Sequence, residues 1–462
     1  MQALTALSHG TFLALLVLAL GTHSDYWRVG PFTWLPLFRL PALVPNGSLN
    51  PKDQLPFQVG LFSLLPLLLL ASWLGLRLLE RHAGAPRPWR WGWPGISLPL
   101  LGLTVLGIAS LQPALSWNTA LQLLALGLAW LVYLFIVNEE PLLTWALALI
   151  VALQGAVAVG QFIHQGDLGL RVLGELALNP ANGGTNVLLA DGQRWLRAYG
   201  LTGHPNLLAA TLAVLLLLLL PALAAGRGWR KGLLGLAVAT GLLGLLATVS
   251  RAAWLGFGTG LLVWGAGSVL AARSARWESP ERRSDGRRWP ANTIYGLAGL
   301  GLALIFVVVF RNMVFGRFLH LNTPIEARSL AERSRDIGIS LSVIAAHPWW
   351  GVGLGSYLSA ARAFDAQARV VHNIPLLVTA ELGAPGLILW LCLALAPAAW
   401  IVAAWARRHQ VLLDRLAPWI AFFLIGQFHS LPWISTGWRT AVLFALLAGW
   451  WTVAARPFPG HD

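Results

Sequence analysis

The chain has 462 residues, 57% of them hydrophobic and only 11% charged, with a formal charge of +14. A soluble domain carries about 25% charged residues, so this composition excludes a water-soluble globule and describes a membrane protein. The one cysteine, Cys392, excludes a disulfide framework and a cysteine-based metal cluster. Basic excess on a soluble chain would suggest a nucleic-acid surface, but in a membrane it first reports topology.

A bilayer span needs roughly 20 apolar residues. Candidate runs follow one another at 9–22, 57–77, 95–111, 117–137, 141–163, 205–225, 232–249, 252–272, 292–310, 375–399, 417–434 and 437–455. They predict an all-α fold, a polytopic transmembrane helix bundle of about 12 spans, or 11 if the short first run is a cleaved signal. Two parts are expected. Residues 1–204 hold the N-terminal helices with outer loops at 23–56 and 164–204; residues 205–462 form a transmembrane core with a long extracytoplasmic loop, 311–374, containing amphipathic helices.

Orientation follows from the short loops. Arg77, Arg81, Arg87 and Arg90 follow span two; Arg227, Arg230 and Lys231 follow span six; Arg273, Arg276, Arg282, Arg283, Arg287 and Arg288 follow span eight. Arg407, Arg408 and Arg415 follow span ten and Arg456 follows span twelve, which puts seventeen of the 32 basic residues on one side, the expected cytoplasmic side. The other fifteen fall largely in the long outer segments. Segment 273–291 reads as a basic linker in contact with lipid headgroups. Tryptophans near span ends, such as Trp89, Trp229, Trp349 and Trp433, read as interfacial anchors. Gly256, Gly258 and Gly260, or Gly296, Gly299 and Gly301, are spaced to let helices approach closely.

The informative polar residues gather on the predicted outer side. Arg197 and His204 precede span six, Pro205 and Asn206 open it, and Arg251 opens span eight with only Ser250 beside it between two apolar runs. Such an arginine either snorkels to mark the end of a span or presents a guanidinium that grips phosphate oxygens bidentately at headgroup depth. Arg328, Glu332, Arg335 and Asp336 have helical spacings suited to pairing on a wet face. Arg333 is turned about 100° from Glu332 and shares a largely apolar stripe with Ile337, Ser340 and Ile344. GVGLGS at 351–356 lacks the parallel-sheet context of a nucleotide loop and reads as a tight turn. His372 and Asn373 stand just before span ten, where the imidazole is either a structural hydrogen-bonder or a base. Glu381 lies about 900° of helix further on, nearly the opposite face, as a site carboxylate or a polar fastener between helices. The chain has no Asp-x-Asp, His-x-x-x-His or Cys-x-x-Cys, which predicts metal independence.

Four motifs in order resemble the O-antigen ligase / O-antigen polymerase superfamily of undecaprenyl-pyrophosphate-glycan-dependent membrane glycosyltransferases. They are R-x-x-G-x-x-x-H-P-N at 197–206, S-R-x-x-W-L-G at 250–256, R-x(14)-P-W-W-G-V-G-L-G at 333–355 and H-N-x-x-L-x-x-x-x-E-L-G-x-x-G at 372–386. The chain departs from the pattern at Ile337, where an aromatic is commoner. The resemblance implies a GT-C-like enzyme with a donor pyrophosphate held by Arg251 and Arg333, with Arg335 or Arg328 as substitutes. It further implies a hydroxyl acceptor activated by His372, inversion at the anomeric carbon, no cofactor, and support from Arg197, His204, Asn206, Asn373 and Glu381. Implied partners are a lipid-linked oligosaccharide donor, a lipid, glycan or protein acceptor, and membrane lipids, without nucleic acid. The implied setting is cell-envelope polysaccharide biosynthesis at the bacterial cytoplasmic membrane, with the site facing outside. Ligase, polymerase and protein O-oligosaccharyltransferase share these motifs, and a transporter of a small anion such as bicarbonate, or an envelope scaffold, are the readings from other classes.

Overall fold

The computed structural model describes residues 1–22, 38–40, 57–59, 64–111, 117–190, 192–278, 291–319, 324–406, 413–429 and 438–454. In chain order its helices are α1 (Gln2–Gly21), α2 (Leu65–His82), α3 (Pro94–Ala109), α4 (Trp117–Glu139), α5 (Thr144–His164), α6 (Pro205–Ala225), α7 (Gly228–Ala247) and α8 (Arg251–Glu278). They continue with α9 (Ala291–Val309), α10 (Arg311–Leu319), α11 (Pro324–Ala346), α12 (Tyr357–Phe364), α13 (Ile374–Ala406), α14 (Leu413–Ile425) and α15 (Trp438–Ala454). Two antiparallel hairpins, β1 (Phe38–Leu40) with β2 (Phe57–Val59) and β3 (Val187–Ala190) with β4 (Gln193–Leu196), are the strands among the described residues.

The chain is an all-α polytopic membrane protein. Each of the twelve apolar runs falls on one helix, and α10, α11 and α12 are the helices expected between spans nine and ten. Among the described residues seven helices are long and apolar enough to cross a bilayer, and α3 and parts of α9, α14 and α15 are shorter apolar helices. Three boundaries differ from the sequence expectation. Phe57–Val59 is a strand and α2 starts only at Leu65, where Pro66 presets the first turn. Helix α8 continues through Arg273 and Arg276 into the expected linker, whose remainder, 279–290, lies outside the described residues, as do Arg407, Arg408, Trp433 and Arg456. Helix α14 stops at Ile425, and the Gly426 carbonyl beyond it accepts from the Ile374 N–H at 2.9 Å.

Helix α6 is the axis of the packing. Every residue from Leu207 to Leu219 is buried, as expected of a helix apolar on all faces. Gly256 and Gly260 let α8 approach α14: a Cβ at Gly256 would lie 2.7 Å from Ile425 Cγ1, and one at Gly260 would lie 3.0 Å from the Ala417 carbonyl oxygen. In the second glycine spacing, Gly299 and Gly301 have no such role, since a Cβ at Gly301 would meet open space and one at Gly299 only an ordinary contact; the surroundings of Gly296 lie outside the described side chains.

Helix α1 is built into this core. Its Phe12, Leu15, Leu16, Ala19 and Leu20 are buried. The Leu20 carbonyl at its C-terminus accepts from Gln154 Nε2 at 2.9 Å and from the buried Arg439 at 2.7 Å. Arg439 also donates to the Thr22 and Leu201 carbonyls. A guanidinium on the orphan carbonyls of a helix C-terminus offsets the local dipole, so α1 and α15 fasten each other.

Candidate active site

The first wall of the site is a non-helical segment buried inside the bundle. Backbone groups in such a place need partners, and side chains of α5 supply them. Gln161 Oε1 accepts from the Tyr199 and Gly200 N–H groups at 3.0 and 2.8 Å, and Gln154 Oε1 accepts from Leu201 at 2.8 Å. This descent ends at His204, the N-cap of α6, whose Nδ1 accepts from the Asn206 N–H at 3.1 Å, with Pro205 in the first turn. Arg197 is buried, donates from Nε to the Thr248 carbonyl at 2.8 Å, and donates from Nη2 to Asn206 Oδ1.

The opposite wall is made by the starts of α8 and α13 and the end of α14. Arg251 is the first residue of α8, and its Nη1 donates to the Arg317 carbonyl of α10 at 3.2 Å. Asn373 caps α13: its Oδ1 accepts from the Leu376 N–H at 2.9 Å and its Nδ2 donates to the Gln427 carbonyl at 3.1 Å. That bond joins the His372 segment to the turn carrying His429. The two imidazoles meet edge to face with ring centroids 5.3 Å apart, and His204 meets His429 at 6.3 Å.

Like charges and burial dominate the electrostatics. Burial, with Arg197, Arg251 and Arg333 adding, pushes the Arg317 guanidinium down to about 8. Burial pushes Arg197 down to about 10, with Arg251 and Arg333 acting the same way and Tyr199 opposing. His372 is pushed down to about 4 by burial, then by Arg333 and Arg369, against Glu332. His204 falls to about 3 by burial with Arg197 and His372 adding, and buried His429 lies well below the ordinary histidine value. Three neutral imidazoles thus share one end of the bundle with four guanidinium groups.

Of the residues singled out from sequence, Arg197, His204, Asn206, Arg251, Arg333, His372 and Asn373 gather here. Arg335 turns elsewhere, donating to the Gln367 carbonyl at 3.1 Å and pairing with Asp365 at 3.5 Å, and Arg328 pairs with Glu332 at 3.0 Å. Glu381 accepts from Gln122 Nε2 of α4 at 3.4 Å, in line with its expected opposite face. The stripe on α11 is rotated from expectation. Asp336, Ile339, Ser340 and Val343 are buried while Ile337 is 42% exposed, so the buried face centres on Asp336 and Val343, and Arg333 lies at its edge. The Asp336 carboxyl, pushed up by burial, accepts from the Arg369 backbone.

His429 and Arg317 were missed. The sequence reading placed His429 inside a span, where an ionisable side chain is itself a site signal; Arg317 carried no motif. Among the described residues no group of three or more His, Cys, Asp or Glu forms a metal-ligand set.

GVGLGS is the expected turn, and it docks on a break in α13. Gly383 has φ 68° and ψ −166°, a region essentially reserved for glycine. The Ala380 and Glu381 carbonyls accept from the Val352 and Gly353 N–H groups at 2.9 Å each, and Pro348 O accepts from Ala384 at 2.9 Å. A Cβ at Gly383 would lie 2.1 Å from the Trp349 carbonyl oxygen.

Residues 236–391 match the family model described as O-antigen ligase. The matched stretch, about a third of the chain, is similar to the O-antigen ligase/polymerase superfamily. No curated protein matches it. The ligase match contains Arg251, Arg317, Arg333 and His372, while Arg197, His204, Asn206 and His429 lie outside it and reach the site through the fold. It indicates an O-antigen-ligase-like enzyme acting in glycan transfer and offers no support for the transporter reading.

Proposed function

We propose that the protein transfers a glycan from an undecaprenyl-pyrophosphate-linked donor to a hydroxyl acceptor, without metal and with inversion, as a GT-C-like enzyme of the cytoplasmic membrane whose site faces outward. Residues 205–462 carry most of the chemistry. The observation that carries this reading is the gathering of Arg197, Arg251, Arg317 and Arg333 around neutral His372 at one end of the bundle. Clustered guanidinium groups lower one another's proton affinity, and a diphosphate relieves that repulsion through charge-assisted hydrogen bonds.

The chemistry needs little else. Pyrophosphate is a good leaving group, so the protein must position the acceptor, neutralise charge on the departing phosphates and take one proton. Arg251 and Arg333 hold the diphosphate and Arg317 reinforces them. His372 takes the acceptor proton as oxygen bonds to the anomeric carbon from the face opposite the leaving phosphate. Arg335 and Arg328 pair with Asp365 and Glu332 instead and take no part in the diphosphate grip.

The test is direct. Purified protein is supplied with a lipid-linked oligosaccharide and separate lipid, peptide and lipid-linked glycan acceptors, and the acceptor that gains the glycan distinguishes ligase, protein transferase and polymerase. No transfer to any acceptor, together with uptake of a small anion by reconstituted protein, would overturn the reading.

A further inference from the structure

Asn206 makes hydrogen bonds that fix one another's direction. Its Oδ1 accepts from Arg197 Nη2. A guanidinium has only donors, so that bond settles which end of the amide is oxygen. The Nδ2 group then donates to His429 Nε2, and a ring nitrogen that accepts cannot carry a proton. Neutral His429 therefore holds its proton on Nδ1. Arg197 itself is anchored, its Nε on the Thr248 carbonyl at 2.8 Å.

The consequence reaches His372. Its ring meets His429 edge to face at 5.3 Å with an interplanar angle of 67°, and its Nδ1 is buried. Facing His372 are Arg333 and Glu332 from α11, Arg369 from the turn before α13, and His429. Facing His429 are His372, His204, Arg333 and Arg197. Among so many cations, a proton gained by His429 would oppose the imidazolium that has to form on His372.

We propose that Asn206 and His429 are positioning residues for the base: Asn206 keeps His429 neutral with its proton on Nδ1, and a neutral His429 spares His372 a further neighbouring cation when its imidazolium forms. The assignment rests on the reading of His372 as the base. In the transfer the acceptor O–H proton passes to His372 Nε2, the oxygen bonds to the anomeric carbon, and the bond to pyrophosphate breaks with its electron pair leaving on the phosphate. The proton then returns to solvent. Neither Asn206 nor His429 touches the reacting atoms.

The test uses the full chain in lipid nanodiscs with ¹⁵N-labelled histidine, His429 and His372 being assigned by loss of their signals on substitution. In the wild type, His429 shows a protonated Nδ1 and a bare Nε2. In Asn206→Asp, whose carboxylate only accepts, the His429 proton moves to Nε2 or the ring becomes charged, and kcat falls by about tenfold or more with a smaller change in KM for the lipid-linked donor. His429→Phe loses a similar factor, and His429→Gln, whose amide oxygen accepts from Asn206, recovers most of it. A role limited to packing predicts the reverse order, because the phenyl ring preserves the volume. A wild-type His429 protonated on Nε2, or Phe outperforming Gln, would overturn the proposal. Absence of transfer with every donor and acceptor would sink the enzymatic reading alone, because the nitrogen signals still decide the hydrogen-bond chain.

Discussion

Two groups of arginines occupy different regions of the bundle and obey opposite rules. Where α2 ends and α4 ends, Arg77 Nη2 pairs with Glu139 at 2.8 Å, Arg87 with Glu80 and with Glu139 at 3.1 Å, and Arg90 with Glu140 at 3.0 Å. Trp73 Nε1 donates to the same Glu139 at 2.8 Å. At the candidate site, Arg197 bonds the Thr248 carbonyl and Asn206, and Arg251 bonds the Arg317 carbonyl. The hydrogen bond from Arg87 to Glu80 pushes Arg87 above its ordinary value, whereas burial and its fellow arginines push Arg317 down to about 8. Matched charges hold helices together; cations compensated by dipoles create a demand for an anion.

The sharpest way to break this contrast is to remove charge at each end and read activity and stability separately. Arg251→Ala, Arg333→Ala and His372→Ala are each expected to cut glycan transfer by about 10²–10⁴-fold while the protein still inserts and folds. Relief of like-charge repulsion should leave thermal stability of the arginine variants equal or higher, as at other sites where function opposes stability. Normal transfer by these variants would sink the site assignment. At the other end, Glu139→Gln leaves Arg77 and Arg87 to share Glu80 alone and is expected to cost about 1.5–3 kcal/mol in unfolding free energy. The transfer rate per folded molecule should stay the same, and a rate loss without destabilisation would erase the distinction between the two ends.

A further variant probes the backbone between α11 and α13. Gly383→Ala places a side chain against the Trp349 carbonyl in a glycine-only conformation and is expected to cost about 1–3 kcal/mol. Stability and transfer should fall together, because the docked turn sets where α11, and so Arg333, sits. A variant as stable as wild type would mean that the break is not strained.

The smallest expected effect is on pH dependence. His372 in the free protein titrates near 4, against an ordinary histidine at 6.5, so folding favours its neutral form. That stability is full above about pH 6.5 and is lost as pH falls toward 4. Bound diphosphate cancels part of the Arg333 field and raises the proton affinity of His372. The acid limb of kcat should therefore lie at higher pH than that of kcat/KM for the donor, since the latter reports the free enzyme. The opposite order would show that donor charge does not reach His372.

Much of the site was legible because its chemistry sits at span boundaries. Arg251 and His372 stand out wherever an ionisable residue interrupts a long apolar run, and Asn373 follows as the cap of the next helix. Arg333 was legible as a charge off the wet face of α11, although the stripe it joined was misread by about one residue, which on a helix is about 100°. Arg335 and Glu332 differ from Arg333 by two residues and one, yet their partners Gln367, Asp365 and Arg369 lie thirty or more positions away. No local spacing carries that information. His429 was hidden because α14 ends at Ile425, short of the predicted span, and the turn beyond it is tied to the start of α13 through the Gly426 carbonyl and Ile374.

Composition and apolar periodicity by themselves determined that the chain is a helical membrane protein and where most of its helices lie, while four ordered motifs carried its resemblance to the O-antigen ligases. Water is absent from the bilayer core, so every span must satisfy its own backbone, and that local constraint is written directly in the sequence. Tertiary structure alone decided that α1 is fastened into the core by Arg439, that Glu381 faces α4, and that His429 and Arg317 join the site. Those outcomes depend on which distant carbonyls and side chains meet when the helices pack, and hydrogen bonds spanning hundreds of residues leave no periodic trace in the chain.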